Sequence, residues 1–157
     1  MVGGVQTPEK VAESFARMAA GEDPLAFYFV GLKVDGTLIG KAGLSPIDTA
    51  VAPEELQGAI QVGWTLRADF WGRGYAREAA EAALAVAFER LALPRVYAQT
   101  SERNTASWGL MKRLGMARRP ELDYSDPDYP PEDNPTMVWD LDRQAWQHSR
   151  TREAASA

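Results

Sequence analysis

Two short stretches carry residues whose types and spacing could do chemistry. The first is Trp71-Gly72-Arg73-Gly74-Tyr75-Ala76, set between a strand read over Ala59–Trp64 and an alanine-rich helix read over Arg77–Leu91. Strand, glycine turn and helix start together form a phosphate-binding geometry. The first amides of a helix have no internal partner, and the helix dipole adds positive potential there. Glycine lets a bulky anion approach the backbone and tolerates the dihedrals of a tight turn. A glycine pair can equally serve the turn alone, so the motif needs support from elsewhere in the chain. The second stretch is Asn104-Thr105-Ala106-Ser107. Asn104 is a good N-cap for a short helix, Thr105 to Leu114, which Gly115 terminates.

Composition narrows the chemistry. There is no cysteine, which excludes disulfides, a cysteine nucleophile and thiolate metal sites. The one histidine, His148, lies in a polar tail, so histidine triads and metal clusters are not expected, and no metal site is assigned. A formal net charge of -5 disfavours a nucleic-acid binder working by phosphate neutralisation and is compatible with a cationic or amine acceptor. No apolar run is long enough to span a bilayer and no signal peptide opens the chain, so no membrane partner and a cytoplasmic location are expected. The length of 157 residues fits one domain, 1–157, with a polar C-terminal tail at 142–157.

The elements that must position the two stretches follow from pattern. Thr7 and Pro8 open a helix whose apolar face is Val11, Phe15, Met18 and Ala19, and Gly21 to Pro24 stops it. Ala26 to Val34 alternates as a strand, Asp35-Gly36 signals a two-residue hairpin, and Thr37 to Leu44 returns. Ser45 to Gln57 is a loop that carries Glu54 and Glu55 and has room for a helical turn. The alanine-rich helix aligns Ala76, Ala80, Leu84, Ala87 and Leu91, with Ala83 and Phe88 beside them. Arg95 to Thr100 is the next strand, parallel to the one before the helix by the right-handed crossover rule. Met116 to Arg119 starts a strand, Pro120 to Pro135 is an acidic, proline-rich loop with Asp123 and Asp126, and Thr136 to Leu141 is the last strand. The tail beyond Arg143 is read as helical around Trp146. Trp139 and Trp146 are read as packing residues.

This order, with the glycine turn ahead of the long helix and Asn104 to Ser107 followed by Lys112-Arg113-Leu114-Gly115-Met116, resembles the GNAT superfamily of N-acetyltransferases, and most of all its RimJ/RimL type. The resemblance runs over roughly residues 26 to 141. It implies an α/β (α+β) fold, a mixed central sheet with splayed parallel strands and flanking helices. Set against the family, the chain is read as starting at the second helix, so the family's N-terminal strand is expected to be missing, replaced or supplied by another subunit. An uncovered edge strand invites pairing, so a homodimer is expected. At the phosphate loop the family has Gln or Arg, two residues, Gly, one residue, then Gly or Ala. Gly74 and Ala76 match, while Trp71 stands at the Gln/Arg position.

The resemblance implies acetyl-CoA as co-substrate and an amine acceptor, including the α-amino groups of proteins. It places the pantetheine arm along Trp64, Thr65 and Leu66, and the pyrophosphate on the amides of Gly72, Arg73, Gly74, Tyr75 and Ala76. Arg73 either adds charge there or is a solvated loop residue. Asn104 serves as cap and coenzyme contact together. Ser107 is either a plain first-turn serine or the hydroxyl that protonates the departing thiolate, since Met111 occupies the place where many relatives carry a tyrosine. Lys112 and Arg113 either reach the coenzyme's 3′-phosphate or complement the helix dipole. Trp64, Trp71 and Trp108 are read as wall residues.

Direct transfer needs a deprotonated amine, a donor for the carbonyl oxygen and a proton for the thiolate. A backbone amide near Thr65 or Leu66 is the carbonyl's candidate. On the acceptor side the resemblance points to Asp123 and Asp126, with Glu54 and Glu55 in a second loop, either as surface carboxylates that attract a cation or as the base. Two other readings stand beside a protein N-terminal acetyltransferase. One is the same chemistry on a polyamine, an amino acid or an antibiotic, and the other is an acyl-CoA-binding module without catalysis. A dinucleotide-binding domain is disfavoured, because the glycine spacing is wrong and no acidic residue ends the next strand to hold a ribose.

Overall fold

The computed structural model describes residues 24–156, so the helix expected from Thr7 lies outside the described residues. These residues group into two compact units, 24–45 with Val62–Leu91 and Pro46–Gln61 with 92–156.

In the first unit, β1 (Phe27–Gly31), β2 (Leu38–Pro46) and β3 (Ile60–Leu66) follow one another in the order β1-β2-β3. Alternating apolar residues explain the strands. Val30, Ile39, Ala42, Leu44, Val62 and Leu66 are buried and their neighbours in sequence are mostly less so. The expected two-residue hairpin at Asp35-Gly36 is instead a wider connection. Leu32 N–H bonds to Thr37 O (2.8 Å) and Gly36 N–H to Leu32 O (2.7 Å). Asp35 causes this, because its carboxylate accepts both the amide (3.0 Å) and the hydroxyl (2.7 Å) of Thr37 and closes a local turn. Gly40 is required by close approach: a Cβ there would stand 2.1 Å from the Thr65 carbonyl oxygen.

Helix α1 (Tyr75–Ala85) begins two residues earlier than the sequence reading, because Gly74 adopts φ 83 and supplies the turn into the helix. It then widens into a π-helical turn, Val86–Arg90, closed by Leu91 N–H on Val86 O (2.9 Å). Of the expected stripe, Ala80, Leu84 and Ala87 are buried with Ala83 and Phe88 beside them, while its two ends, Ala76 and Leu91, are half-buried.

The second unit holds the remaining strands in the order β3-β4-β6-β5. β4 (Arg95–Ser101) runs antiparallel to β6 (Thr136–Asp142) from Arg95↔Asp142 to Ser101↔Thr136, and β5 (Ala117–Arg118) lies on the far side of β6. Gln61, at the start of β3, pairs in parallel with Tyr97. Parallel and antiparallel pairs thus make the mixed α/β fold that was expected. Ile47, Leu56, Tyr97, Leu122 and Val138 form the core of this unit. Helix α2 (Thr105–Arg113) ends at Gly115, where Gly115 N–H bonds to Lys112 O (3.0 Å) and Met116 N–H to Met111 O (3.0 Å). The polar tail is a full helix, α3 (Arg143–Ser156), anchored by the buried Trp146.

Candidate active site

The glycine turn of the first unit has the local form that the sequence suggests. Gly72 and Gly74 both take positive φ, 75 and 83 degrees, and a Cβ on either would meet nothing within 4 Å. The glycines are therefore there for conformation, and open space faces the backbone. Gly74 O accepts the Glu78 amide (3.1 Å), and no side chain caps the helix start, so its leading amides are not claimed by a capping residue. Trp71 does not point inward. It is 63% exposed, and its indole N–H donates to Leu66 O (2.9 Å), which ties the turn back to the end of β3. Phe70 is buried and carries two guanidinium groups over its ring, Arg67 at 5.2 Å and Arg73 at 5.5 Å. Arg67 is matched by Asp69 (3.0 Å), whereas Arg73 has no carboxylate partner among the described residues. Of the expected pantetheine contacts, Leu66 is buried, Trp64 half-buried and Thr65 exposed.

In the second unit, Asn104 caps α2 as expected, its side-chain oxygen accepting the Ser107 amide (3.3 Å). Its amide nitrogen and the Ser107 hydroxyl have no hydrogen-bond partner among the described residues. Trp108 donates its indole N–H to Glu102 O (2.8 Å), and the Lys112 ammonium lies 5.2 Å from the Trp108 ring centre.

A cavity of about 560 Å³ opens in this unit, within the usual range for small-molecule sites. Its wall carries a directed chain of hydrogen bonds. The Tyr124 hydroxyl donates to Gln99 Oε1 (2.5 Å), and Gln99 Nε2 donates to Gln61 Oε1 (2.8 Å). Gln99 reaches it because β4 places Tyr97 and Gln99 on one face, and the bridge Tyr124↔Thr136 holds the tyrosine. Burial, and then the charge of Asp126, push the Tyr124 hydroxyl above its ordinary pKa. Asp126 also lines the cavity and is only 8% exposed. One of its oxygens accepts the Asp128 amide (2.9 Å). Asn134 fixes this loop, accepting the Asp126 amide (2.8 Å) and donating to the carbonyls of Asp126 (3.0 Å) and Tyr129 (3.2 Å). Asn104 and Ser101 complete the side of the cavity at the start of α2, and Asp48 and Asp133 add two more carboxylates.

The other expected acceptor-side carboxylates are engaged elsewhere. Asp123 makes a bidentate pair with Arg118 (2.6 and 2.5 Å) and accepts the Val138 amide (3.1 Å). Glu55 accepts the Tyr97 hydroxyl (2.7 Å) and pairs with Arg119 (3.2 Å), while Glu54 is exposed in a 3-10 turn. The same Arg119 joins Arg95 on Asp140, each at 2.5 Å, and Asp140 is 3% exposed. Burial and the Glu55 hydrogen bond push the Tyr97 hydroxyl up to about 12. The Tyr97 bond, and then Arg119, hold Glu55 below its usual range against the opposing effect of burial. Sequence reading missed this network and the Tyr124-Gln99-Gln61 chain. Their members lie on separate elements, and only the alternation within β4 hinted that Tyr97 and Gln99 share a face.

The GNAT acetyltransferase domain model of known families matches residues 1–117. Among curated proteins, the chain is 29% identical over 115 residues to FsC-acetyl coenzyme A-N(2)-transacetylase of Aspergillus fumigatus, covering 71% of this chain and 48% of that protein. It is 36% identical over 58 residues to the uncharacterized N-acetyltransferase YnaD of Bacillus subtilis, covering 37% of this chain and 34% of that one. The chain thus spans about half of the first relative and a third of the second. A solved acetyltransferase from Agrobacterium tumefaciens matches at TM-score 0.57 and 26% identity, covering 88% of this chain and 74% of that one. The ribosomal-protein-S5-alanine acetyltransferase of Vibrio fischeri matches at TM-score 0.63 and 20% identity, with 83% and 68% covered, which speaks to the fold alone.

Proposed function

Since the chain belongs to the GNAT acetyltransferase family, we propose that it moves an acetyl group from acetyl-CoA directly to a primary amine. The observation that carries this reading is the cavity lined by Asp126, Asp48 and Asp133, with no lysine or arginine among the described residues of its wall. Such a wall favours a cationic amine and disfavours an anionic acceptor. In this reading the amides of Gly72 to Ala76 hold the diphosphate, and Arg73, lacking a carboxylate partner among the described residues, adds charge to it.

The amine first loses a proton, with Asp126 or a water beside it as acceptor. Its nitrogen then forms the new C–N bond at the thioester carbonyl while the C–S bond breaks. A main-chain amide near Thr65 or Leu66 meets the developing negative charge. The thiolate takes a proton from Ser107, whose hydroxyl is uncommitted among the described residues, and Ser107 regains one from the proton that the acylated nitrogen sheds as it becomes an amide. Asn104 sets the start of α2, and with it the position of Ser107.

The RimJ/RimL resemblance supports a protein α-amine as acceptor, and the cavity's size supports a small amine. The dimer belongs to the same proposal and rests on β1, which ends the strand order and exposes Phe27 and Phe29. Light scattering at rising concentration checks it. A cytoplasmic location rests on the lack of cysteine and of any long apolar helix among the described residues.

The test is thiol release from acetyl-CoA with a panel of small amines and N-terminal peptides. Release that depends on the amine is expected. If acetyl-CoA binds, by calorimetry, and no amine in the panel drives release, the chain is a binding module and the transfer reading fails.

A further inference from the structure

We infer that the acceptor is a compact dication, a primary amine with a second cationic nitrogen a few carbons away. This rests on the transfer reading above and narrows it. Two carboxylates of the second unit outside the cavity have guanidinium partners, Asp123 with Arg118 and Asp140 with Arg95 and Arg119, while the half-buried Asp142 accepts the Ala145 amide (2.7 Å) instead. Asp126, at 8% exposure, has no guanidinium partner among the described residues. Its only side-chain hydrogen bond is the Asp128 amide on one oxygen, and the second oxygen has no partner among the described residues. A nearly buried carboxylate with one accessible, unpartnered oxygen in a cavity wall favours a ligand cation, which can hydrogen-bond it and supply the counter-charge.

A second carboxylate of the same cavity, Asp48, is exposed and has no ion pair among the described residues. The third, Asp133, is only loosely met by Arg103 at 3.7 Å. Two negative charges therefore await partners, one enclosed and one toward solvent. A monoamine answers one of them. It then answers none at the moment of attack, because the attacking nitrogen must be neutral. A second ammonium stays charged throughout the transfer and remains bound. The rest of the wall suits a short chain: Thr49, Gln61, Gln99, Ser101 and Tyr124 offer hydroxyls and amides rather than an apolar slot. An amino acid with a free carboxylate would set that group against Asp126 or Asp48.

The experiment compares thiol release from acetyl-CoA for chains of equal length: a four-carbon diamine, the matching monoamine, the matching amino acid, and a peptide N-terminus with neutral side chains. The diamine is expected to lead the monoamine in kcat/KM by about tenfold or more, the value of one retained ion pair in a partly dry site. Asp48→Asn should pull the diamine's KM up toward the monoamine's. Binding is read separately by calorimetry with the tetramethylated diamine, which carries both charges and cannot be acetylated. It should bind the native protein and bind Asp48→Asn several-fold more weakly. Transfer that runs equally well on the monoamine or best on the peptide overturns the inference and leaves the transfer reading standing. No release with any amine, together with tight binding of the tetramethylated diamine, supports the dication and sinks the transfer reading instead. Failure of the native protein to bind that diamine overturns the inference by itself.

Discussion

At Gly72 to Ala76 the groups proposed to meet a ligand are main-chain amides, supplied by five consecutive residues and shaped by two positive-φ glycines. In the cavity they are side chains: Gln61 from β3, Gln99 from β4, and Tyr124 and Asp126 from the loop before β6. The turn needs only its own dihedrals and the start of one helix. The cavity needs three segments held in register, and so depends on packing and on ion pairs some residues away. Stability and recognition should therefore be separable at the turn and entangled at the cavity.

The largest effect is expected from Asp140→Ala. Asp140 is buried beneath Arg95 and Arg119, and Arg119 continues to Glu55, which takes the Tyr97 hydroxyl. Removing it takes the carboxylate partner from Arg95, leaves Arg119 only its exposed partners Glu55 and Glu121, and frees the strand that carries Gln99. A loss of about 3 kcal/mol in a denaturant titration is expected, the range for breaking a buried pair. A variant as stable as the native protein would break the comparison, because the cavity would then not depend on its frame.

Tyr97 sharpens the same point through pH. Its hydroxyl is raised from 10.0 to about 12, chiefly by burial and then by the bond to Glu55. A raised folded-state value means the contribution is complete below the unfolded value and is lost as pH rises through the folded one. Native stability should therefore fall relative to Tyr97→Phe between pH 10 and 12, by on the order of 2 kcal/mol for a shift of this size. Glu55 gives the opposite sign. Its value is lowered, first by the Tyr97 hydroxyl, so its contribution is present above the ordinary carboxylate range and is lost as pH falls through the lowered value. Tyr97→Phe should flatten the profile at the acid end as well. Denaturation midpoints of the two proteins across pH give the difference curve, and parallel curves at the alkaline end would deny the buried phenol its role.

The turn was legible because its signal is local: Gly72, Gly74 and the alanine-rich run that follows lie within one short window. The same holds for the Asn104 cap and the Gly115 stop, and all of these form as read. The Asp35-Gly36 hairpin was misread by a local competitor, the Asp35 carboxylate bonding forward to Thr37. The helix end was misread because nothing in Val86 to Arg90 announces a π turn. The cavity lay out of reach for a different reason. Asp123 and Asp126 are three residues apart in one acidic loop, yet Arg118 claims the first and the cavity takes the second. Only the folded register of β5 and β6 decides between them.

Gly74→Ala tests the claim that the turn is a matter of backbone alone. A Cβ there meets nothing within 4 Å, so no clash is introduced, but φ 83 becomes strained. The expected cost is about 1–2 kcal/mol in stability or, where the turn relaxes instead, a severalfold weaker affinity for coenzyme A in calorimetry. Affinity for the tetramethylated diamine should not change. If it changes as much as the coenzyme's, the two sites are not independent and the contrast drawn above is wrong.

Asn104 is where the two kinds of site meet in one residue, and it is expected to show the smallest effect on stability. Its oxygen caps α2 through Ser107 N–H, the residue lines the cavity, and its amide nitrogen has no partner among the described residues. Asn104→Ala removes both functions and should cost about 1 kcal/mol, the usual value of such a cap. Asn104→Asp keeps an oxygen acceptor at the helix start, where negative charge is favourable, and removes only the donor. Its stability should therefore match that of the native protein within a few tenths of a kcal/mol. Any fall in kcat/KM for the acceptor in Asn104→Asp then reports on the cavity alone. A variant with native stability and unchanged kcat/KM would assign Asn104 to the helix only and would leave Ser107 to be placed by the backbone.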